Sequence, residues 1–385
     1  MQKATRQQSK DHNTRLVLQT ILDEGELSRA DIARQTGLTR PTVSTIVADL
    51  LGSGYILEAG QGPSVGGKPP TYLTANNAAR QLVCLDLSGS EFRAALVDWR
   101  GTVLHRAAAQ LIDQRGEAAV SAGAALVASL LDRATAPVLG IGVGTPGLVD
   151  PGHGVVLRSV NLGWNHMPLR DRFAAQFGLP VHVANDSHLA ALAEYTFGAA
   201  IDSPNLPNLI AIRIGQGVGA GIVLNGRPFY GDSFGAGEIG HVVVAPGGDR
   251  CSCGNRGCLE TTSSSRAMVQ QAHLSGGETI TDWPAFVSAV QAGHQAATHI
   301  AEDAGAYLGT AVAMLVGGFN ITTIVLAGRV AELGETFLRP VREQMRRCVL
   351  PAMADATTVT YSSLGSDGIL LGGTALVRQR EVGIL

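Results

Sequence analysis

Four side chains with metal-ligand chemistry crowd one short stretch of this chain. Three of its five cysteines, Cys251, Cys253 and Cys258, fall within eight residues, and His241 stands just upstream. One imidazole and three thiolates make a closed tetrahedral set, with the ligand count and softness of a structural zinc (Zn2+) site. Gly254 and Gly257 let the backbone curl so that the three sulfurs can face one point. A redox pair or a set of buried thiols is the competing assignment. A closed set leaves no position for a water, so the metal is expected to shape a site rather than to react.

Carboxylates flank that stretch. Glu238 lies three residues before His241, and Glu260 two after Cys258. A metal at the four ligands would hold both beside one pocket. A further acid, Asp186, follows Asn185 at the end of the apolar run Val181–Ala184 and precedes an alanine-rich segment. Polar groups at the C-terminal ends of strands in α/β sheets line ligand sites. A carboxylate there can orient a sugar hydroxyl and act as a general base toward it. The bland alternative for Asp186 is an N-cap of the following helix.

The elements that must position these groups read as α/β from residue 80 onward, apolar strands alternating with Ala-rich helices. Leu82–Asp86 runs through Leu87-Ser88-Gly89-Ser90 and returns as Phe92–Asp98. Leu209–Ile214 turns through Gly215-Gln216-Gly217-Val218-Gly219 and returns as Ala220–Leu224. Two such units predict a duplicated, two-lobed fold with a cleft between. Glycine turns of this kind can wrap phosphates through backbone N–H groups, although most are only tight turns.

The chain has 385 residues, enough for two or three domains, with 45% hydrophobic and 16% charged residues. No apolar run reaches membrane-spanning length, and the first ten residues lack the apolar core of a signal peptide. Few cysteines, most of them assigned to metal, fit a reducing cytoplasm. The net charge of −3 argues neither for nor against nucleic acid. Residues 1–75 hold eight Lys/Arg and seven Asp/Glu, a net of +1, and contain all three lysines. The first ten residues carry three basic groups and no acid, which predicts a flexible basic arm or a solubilising terminus.

Within those 75 residues, Leu16, Val17, Ile21 and Leu22 give helical spacing over 13–24, ended by Gly25. Ser28 caps a short helix over 29–36 that Gly37 stops, and Thr39 caps a third with Pro41 in its first turn. Thr36-Gly37-Leu38-Thr39 is then the spacer of a helix-turn-helix. The second helix of such a unit enters the DNA major groove. Arg40, Thr42, Ser44 and Thr45 are its expected DNA-facing set. Strands over 55–58 and 71–74 predict a wing, whose tip, Gly66-Gly67-Lys68-Pro69-Pro70, would place Lys68 in a minor groove. A helical protein-interaction module is the alternative.

Taken together, the chain resembles the ROK family of repressors, open-reading-frame proteins and sugar kinases. Gly237-Glu238-Ile239-Gly240-His241 followed by Cys251-Ser252-Cys253-Gly254-Asn255-Arg256-Gly257-Cys258-Leu259-Glu260 is similar to the family's zinc-and-sugar signature. Asn161-Leu162-Gly163-Trp164 and Asn185-Asp186 also match, and the winged helix resembles the repressor branch. The resemblance implies an actin-like sugar-kinase fold after a winged helix-turn-helix. It implies domains at 1–75 and 76–385, with a smaller lobe over about 80–185 plus the C-terminal tail and a larger lobe over about 186–365. It implies sugar contacts from Asn185, Asp186, Glu238, His241 and Glu260, with backbone from Gly163. Asp186 matches the base of the kinase members.

The chain departs from the kinase pattern at three places that resemble nucleotide-contacting loops. These are Ser88 and Glu91 in Asp86-Leu87-Ser88-Gly89-Ser90-Glu91, Gln216 in Gly215-Gln216-Gly217, and Arg329 in Ala327-Gly328-Arg329. Glu91 would bring negative charge toward a triphosphate if it faced the cleft, and Arg329 could fill the adenosine space. The expected function is therefore a sugar-responsive transcription factor, a repressor without catalysis, binding operator DNA and a sugar or sugar phosphate. A homodimer or dimer of dimers fits two half-sites. The alternative is an ATP-dependent sugar kinase with an appended DNA-binding domain.

Overall fold

A computed structural model gives the architecture and describes residues 6–63, 69–110, 115–198, 206–275 and 279–384. The chain opens with helix α1 (Arg6–Glu24), a short strand β1 (Leu27–Ser28), then α2 (Arg29–Thr36) and α3 (Arg40–Gly52). Strands β2 (Ile56–Gln61) and β3 (Thr71–Ala75) form the wing, with β1 pairing on β3 as a third strand. Ser28 builds a complete capping box with Asp31, and Gly37 ends α2 at φ +69°. Val17, Ile21, Ile32, Val43, Val47 and Ile56 are fully buried between these elements. Each such side chain contributes about 1.5–3 kcal/mol.

One expectation changes here. Helix α1 begins before residue 13, so residues 6–10 are helical and not part of a flexible arm. Lys10 ion-pairs with Asp49 of α3 at 3.0 Å, which gives this first turn a tertiary anchor that local periodicity did not show. The wing tip at 64–68, including Lys68, lies outside the described residues.

The first lobe contains β4 (Gln81–Asp86), β5 (Glu91–Asp98), β6 (Val103–Gln110), α4 (Glu117–Leu131) and β7 (Val138–Thr145). Strands β8 (Leu148–Asp150), β9 (Val155–Ser159) and β10 (Trp164–Met167) make a small separate sheet. Helix α5 (Leu169–Phe177), β11 (Val181–Asn185) and α6 (Asp186–Phe197) follow. The second lobe holds β12 (Asn208–Ile214), β13 (Val218–Leu224) and β14 (Arg227–Pro228). It continues through α7 (Glu260–Ser263), α8 (Ser265–Leu274), α9 (Trp283–Gln291), α10 (Gln295–Phe319) and β15 (Thr323–Ala327). Helices α11 (Glu335–Cys348) and α12 (Pro351–Ala356), strand β16 (Thr358–Tyr361) and the terminal helix α13 (Gly368–Glu381) complete the chain.

The two five-stranded sheets share one design. Their orders are β11-β7-β4-β5-β6 and β14-β13-β12-β15-β16. In each, the first three strands in sequence form an antiparallel meander, and the fourth and fifth add in parallel beside the first. The duplication expected from the paired strand-turn-strand units is thus present in full.

Helix α6 runs between the sheets. On β13, Gly221 has no room for a Cβ against the carbonyl of Ser187; on α13, Gly372 has none against that of Leu189. Helix α13 returns to the first lobe, packing on β4 and β7. The winged helix shares one apolar cluster with this region: Val17, Leu22 and Ile46 belong with Leu82, Val97, Trp99, Leu370 and Val377. Two hydrogen bonds close the junction, Trp99 Nε1 donating to the Asn76 carbonyl at 2.8 Å and Arg100 Nη2 to that of Leu22 at 3.0 Å.

Candidate functional site

The metal-ligand set is assembled by a loop that folds back on itself. Val243 bridges Cys258 and Arg250 bridges Arg256 in antiparallel fashion, so both ends of the cysteine loop meet. The Cys251 N–H donates to the Asn255 carbonyl at 2.8 Å, closing the turn around Cys253. Gly257, at φ +74°, sits where a Cβ would strike the Ala245 carbonyl, which accounts for the absence of a side chain there. The ligand atoms of His241, Cys251, Cys253 and Cys258 lie within 4.8 Å of one another.

That spacing suits a small tetrahedral cation. Cys253 Sγ is 3.6 Å from Cys258 Sγ, and Cys251 Sγ is 3.6 Å from His241 Nδ1. Tetrahedral bonds of about 2.3 Å to sulfur and 2.0–2.1 Å to nitrogen would place such atoms about 3.5–3.8 Å apart. Burial and the two neighbouring sulfurs push the Cys258 thiol up to about 12, so without a cation it holds its proton. A metal reverses that preference, because it binds the thiolate.

The carboxylates converge beside it. The other nitrogen of His241, Nε2, is 3.8 Å from Glu238 Oε2. Partial burial holds the Glu238 carboxyl above its usual range; Asp186 and Glu260 add to that, and His241 opposes it. Those influences place Asp186, Glu238, His241 and Glu260 within one electrostatic neighbourhood. Glu260 Oε2 approaches the Val218 N–H at 3.4 Å under the glycine turn, in space left by Gly217, which has no side chain. His188 of α6 contacts the Ala236 carbonyl at 2.9 Å through Nε2, tying the start of that helix to the segment leading into Glu238.

Asn185 and Asp186 divide their work at the start of α6. The helix cap is Asn185: its Oδ1 accepts from the N–H groups of Ser187 at 2.8 Å and His188 at 3.3 Å. Its Nδ2 donates to the Gly147 carbonyl at 3.0 Å. Asp186 accepts from the Ser187 N–H at 2.9 Å through Oδ1 and turns its Oδ2 to Arg213 Nη1 at 2.9 Å. Gly163 lies in the β9–β10 turn at φ +65°, next to Arg115.

Arg213 is the residue that sequence reasoning missed. Its second nitrogen donates to Ser88 Oγ at 2.9 Å, and Ser88 in turn donates to Asp86 Oδ1 at 2.5 Å. Arg93 pairs with the other Asp86 oxygen at 2.5 Å. A chain of alternating charge thus joins the β4–β5 turn of one lobe to β12 of the other. The signal was an arginine inside the apolar strand Leu209–Ile214, since a half-buried cation in a central strand requires an anionic partner.

Two of the loop departures have partners within the described structure. Glu91 accepts a hydrogen bond from Gln110 Nε2 at 2.7 Å, its cross-strand partner on β6. Arg329 is largely exposed and pairs with Glu332 at 2.8 Å, three residues on. Glu91 thus has a cross-strand partner and Arg329 a local ion pair.

On the recognition helix, Thr39 caps α3 by accepting from the Thr42 N–H, and Pro41 occupies the first turn. Arg40, Ser44 and Thr45 are exposed and Thr42 half-buried, opposite the buried Val43, Ile46, Val47 and Leu50. The helix-turn-helix pattern and the metal-and-carboxylate cluster therefore coexist on one chain. A winged helix-turn-helix DNA-binding pattern matches residues 10–56, and the ROK family pattern matches residues 82–380.

The chain belongs to the ROK family. This ROK protein is 30% identical over 384 residues to the xylose repressor of Caldicellulosiruptor bescii, covering 96% of each chain. It also resembles the crystal structure of a ROK family transcriptional regulator, a homologue of the Escherichia coli MLC protein, with a TM-score of 0.85. That match has 28% identity and 97% coverage of both chains. A ROK family glucokinase from Streptomyces griseus, solved with glucose and AMPPNP, matches at a TM-score of 0.70 and 29% identity. It covers 78% of this chain and 99% of the glucokinase. The fold is thus a winged helix-turn-helix followed by the actin-like, sugar-kinase architecture.

Proposed function

We propose that this ROK protein is a sugar-responsive repressor of carbohydrate genes. Arg40, Thr42, Ser44, Thr45 and Lys68 would contact operator DNA, and the cleft of Asp186, Glu238, His241 and Glu260 would take the sugar. Asn185 would position the start of α6, and Gly163 would offer backbone. One observation carries this reading: α6 begins at Asp186 in the carboxylate cluster and packs on α13, which shares a core with the winged helix. A shift of α6 on sugar binding therefore has a packed route to the recognition helices. Sugar must bind the two DNA-binding states with different affinity, or it shifts nothing. The full-length likeness to the xylose repressor and to the MLC homologue supports the same assignment.

His241, Cys251, Cys253 and Cys258 would hold a structural zinc ion. Bound there, zinc fixes His241 and the loop between Glu238 and Glu260, and supplies no reacting group. The His241 nitrogen that faces Glu238 remains available to the sugar side. A homodimer, or a dimer of dimers, would present two recognition helices to two half-sites in the cytoplasm. Among the described residues no helix is long and apolar enough to cross a membrane.

The kinase alternative draws on Asp186 and on the glucokinase likeness. Against it stands the Arg213 pairing of Asp186, the would-be base. Calorimetric titration with a sugar panel, with and without an ATP analogue, tests the two. Sugar binding without nucleotide binding is expected; nucleotide that tightens sugar binding would establish a working kinase cleft.

A further inference from the structure

Among the described residues, Asp86, Asp186 and Glu260 each pair with a guanidinium group. Arg93 pairs with Asp86 at 2.5 Å, Arg213 with Asp186 at 2.9 Å and Arg266 with Glu260 at 3.4 Å. Among the described residues, the ionisable partner of Glu238 is His241, at 3.8 Å. The three pairs neutralise three acids and leave the fourth uncompensated. A His/Cys3 set with a divalent cation adds one more negative charge.

A phosphate ester brings a charge of about −1.5 to −2 and needs donors it can claim for itself. Arg93 and Arg213 cannot meet it without stranding a carboxylate that is itself buried; Arg266 is largely exposed and its partner Glu260 only partly buried. Asp86 is 1% and Asp186 6% exposed, so either acid would be left uncompensated in a poor solvent. A neutral sugar meets the opposite situation. Its hydroxyls donate to carboxylate oxygens, and no charge has to be matched.

Arg213 also bridges Asp186 and the β4–β5 turn. It reaches from β12 to Asp186 on one side and to Ser88 on the other. Transfer from a nucleotide held at the β4–β5 turn to a hydroxyl held by Asp186 requires that line to be open. Here a guanidinium joins the two, and it holds the carboxylate that would accept the hydroxyl proton.

We infer that Arg213 fixes this cleft as a receptor for an uncharged sugar, closed to phosphorylated sugars and to phosphoryl transfer. The inference rests on the sugar-responsive reading above and names the class of effector. The sugar contacts belong to the carboxylates; Arg213 is a positioning and selecting residue that acts through Asp186.

The test is calorimetry on the full-length, zinc-loaded protein. The probes are D-xylose, D-glucose, N-acetyl-D-glucosamine and the terminal phosphate ester of each. At least one free sugar should bind about 10-fold or more tightly than its ester, a difference of about 1.4 kcal/mol. Asp186→Asn releases Arg213 from its carboxylate. In that variant free-sugar affinity should fall, ester affinity should rise, and the ratio should shrink by about 10-fold. The ratio is the readout, because partial unfolding lowers both affinities together. Tighter binding of an ester by the wild type, an unchanged ratio in Asp186→Asn, or sugar phosphorylation from ATP would each overturn the inference while leaving a sugar site in place. Binding of neither sugar nor ester would instead remove the sugar-responsive reading on which it rests.

Discussion

Gly372 on α13 lies so close to the backbone carbonyl of Leu189 on α6 that no Cβ fits between the two helices. Leu189 stands in the first turn after Asp186, and Gly372 two positions beyond Leu370, which packs in the cluster under the winged helix. The carboxylate cleft and the DNA-binding head are therefore separated by only two backbones in contact. Gly372→Ala should push the helices apart and cost about 1–3 kcal/mol of stability, as overpacking does. Urea unfolding and operator binding with and without sugar check this together. Wild-type stability with an undiminished sugar response would contradict the route through α6 and α13.

The metal site makes a second prediction. Cys253 is the exposed member of the set, so Cys253→Ser leaves no cavity in the core. Its effect should come from the loss of one ligand. Bound zinc should fall from about one per chain toward zero, and the sugar response should weaken, because structural sites of this kind couple metal to local folding. Metal analysis by mass spectrometry, with operator release by sugar, measures both. Full metal content with an intact response would sink the assignment.

At the other end of the molecule, Arg40 begins the recognition helix and is exposed. Arg40→Ala should weaken operator binding by about 1–3 kcal/mol if it reads a base edge. Sugar affinity and thermal stability should stay at wild-type values. Equal loss on unrelated DNA would reduce Arg40 to a phosphate contact, and no loss would remove it from the interface.

Asp186 predicts a pH dependence. Burial raises its carboxyl above the ordinary value of 3.8 and nearby Asp86 adds to this, while Arg213 pulls it down. A folded-state value above the unfolded one means that ionisation costs stability. The cost is absent below pH 3.8 and complete once the pH exceeds the folded value. Asp186→Asn should therefore be at least as stable as wild type at pH 7, with the difference shrinking as the pH falls toward 3.8. Its sugar binding should be lost or much reduced. Thermal melts across that range decide the sign; a variant less stable at pH 7 would show that Arg213 outweighs burial.

Much of this was legible in the sequence because the signals were local. The capping box at Ser28, the Gly37 stop and the Thr39 cap set the helix-turn-helix within a dozen residues. The metal set was equally plain, since its cysteines lie in one loop. Charges that find their partners through the fold were not legible. Arg213 lies 27 residues from Asp186 and 125 from Ser88, and nothing in its neighbours names either. Strand β1 escaped for a similar reason: two residues, Leu27 and Ser28, become a strand only because β3 offers its edge. The partners of Glu91 and Arg329, Gln110 across the β5–β6 pairing and Glu332 three residues on, come from the fold and the local helix turn.

The central claim is that one chain couples sugar to DNA, and operator affinity measured with and without saturating sugar tests it most directly. Coupling of this kind is about 1–3 kcal/mol, or about 5- to 150-fold, and it must appear with equal size when sugar affinity is measured on operator-bound protein. The account predicts a change of that size in both directions of measurement, lost in Glu260→Gln together with sugar binding. Identical operator affinity in protein shown to be saturated with sugar would contradict it.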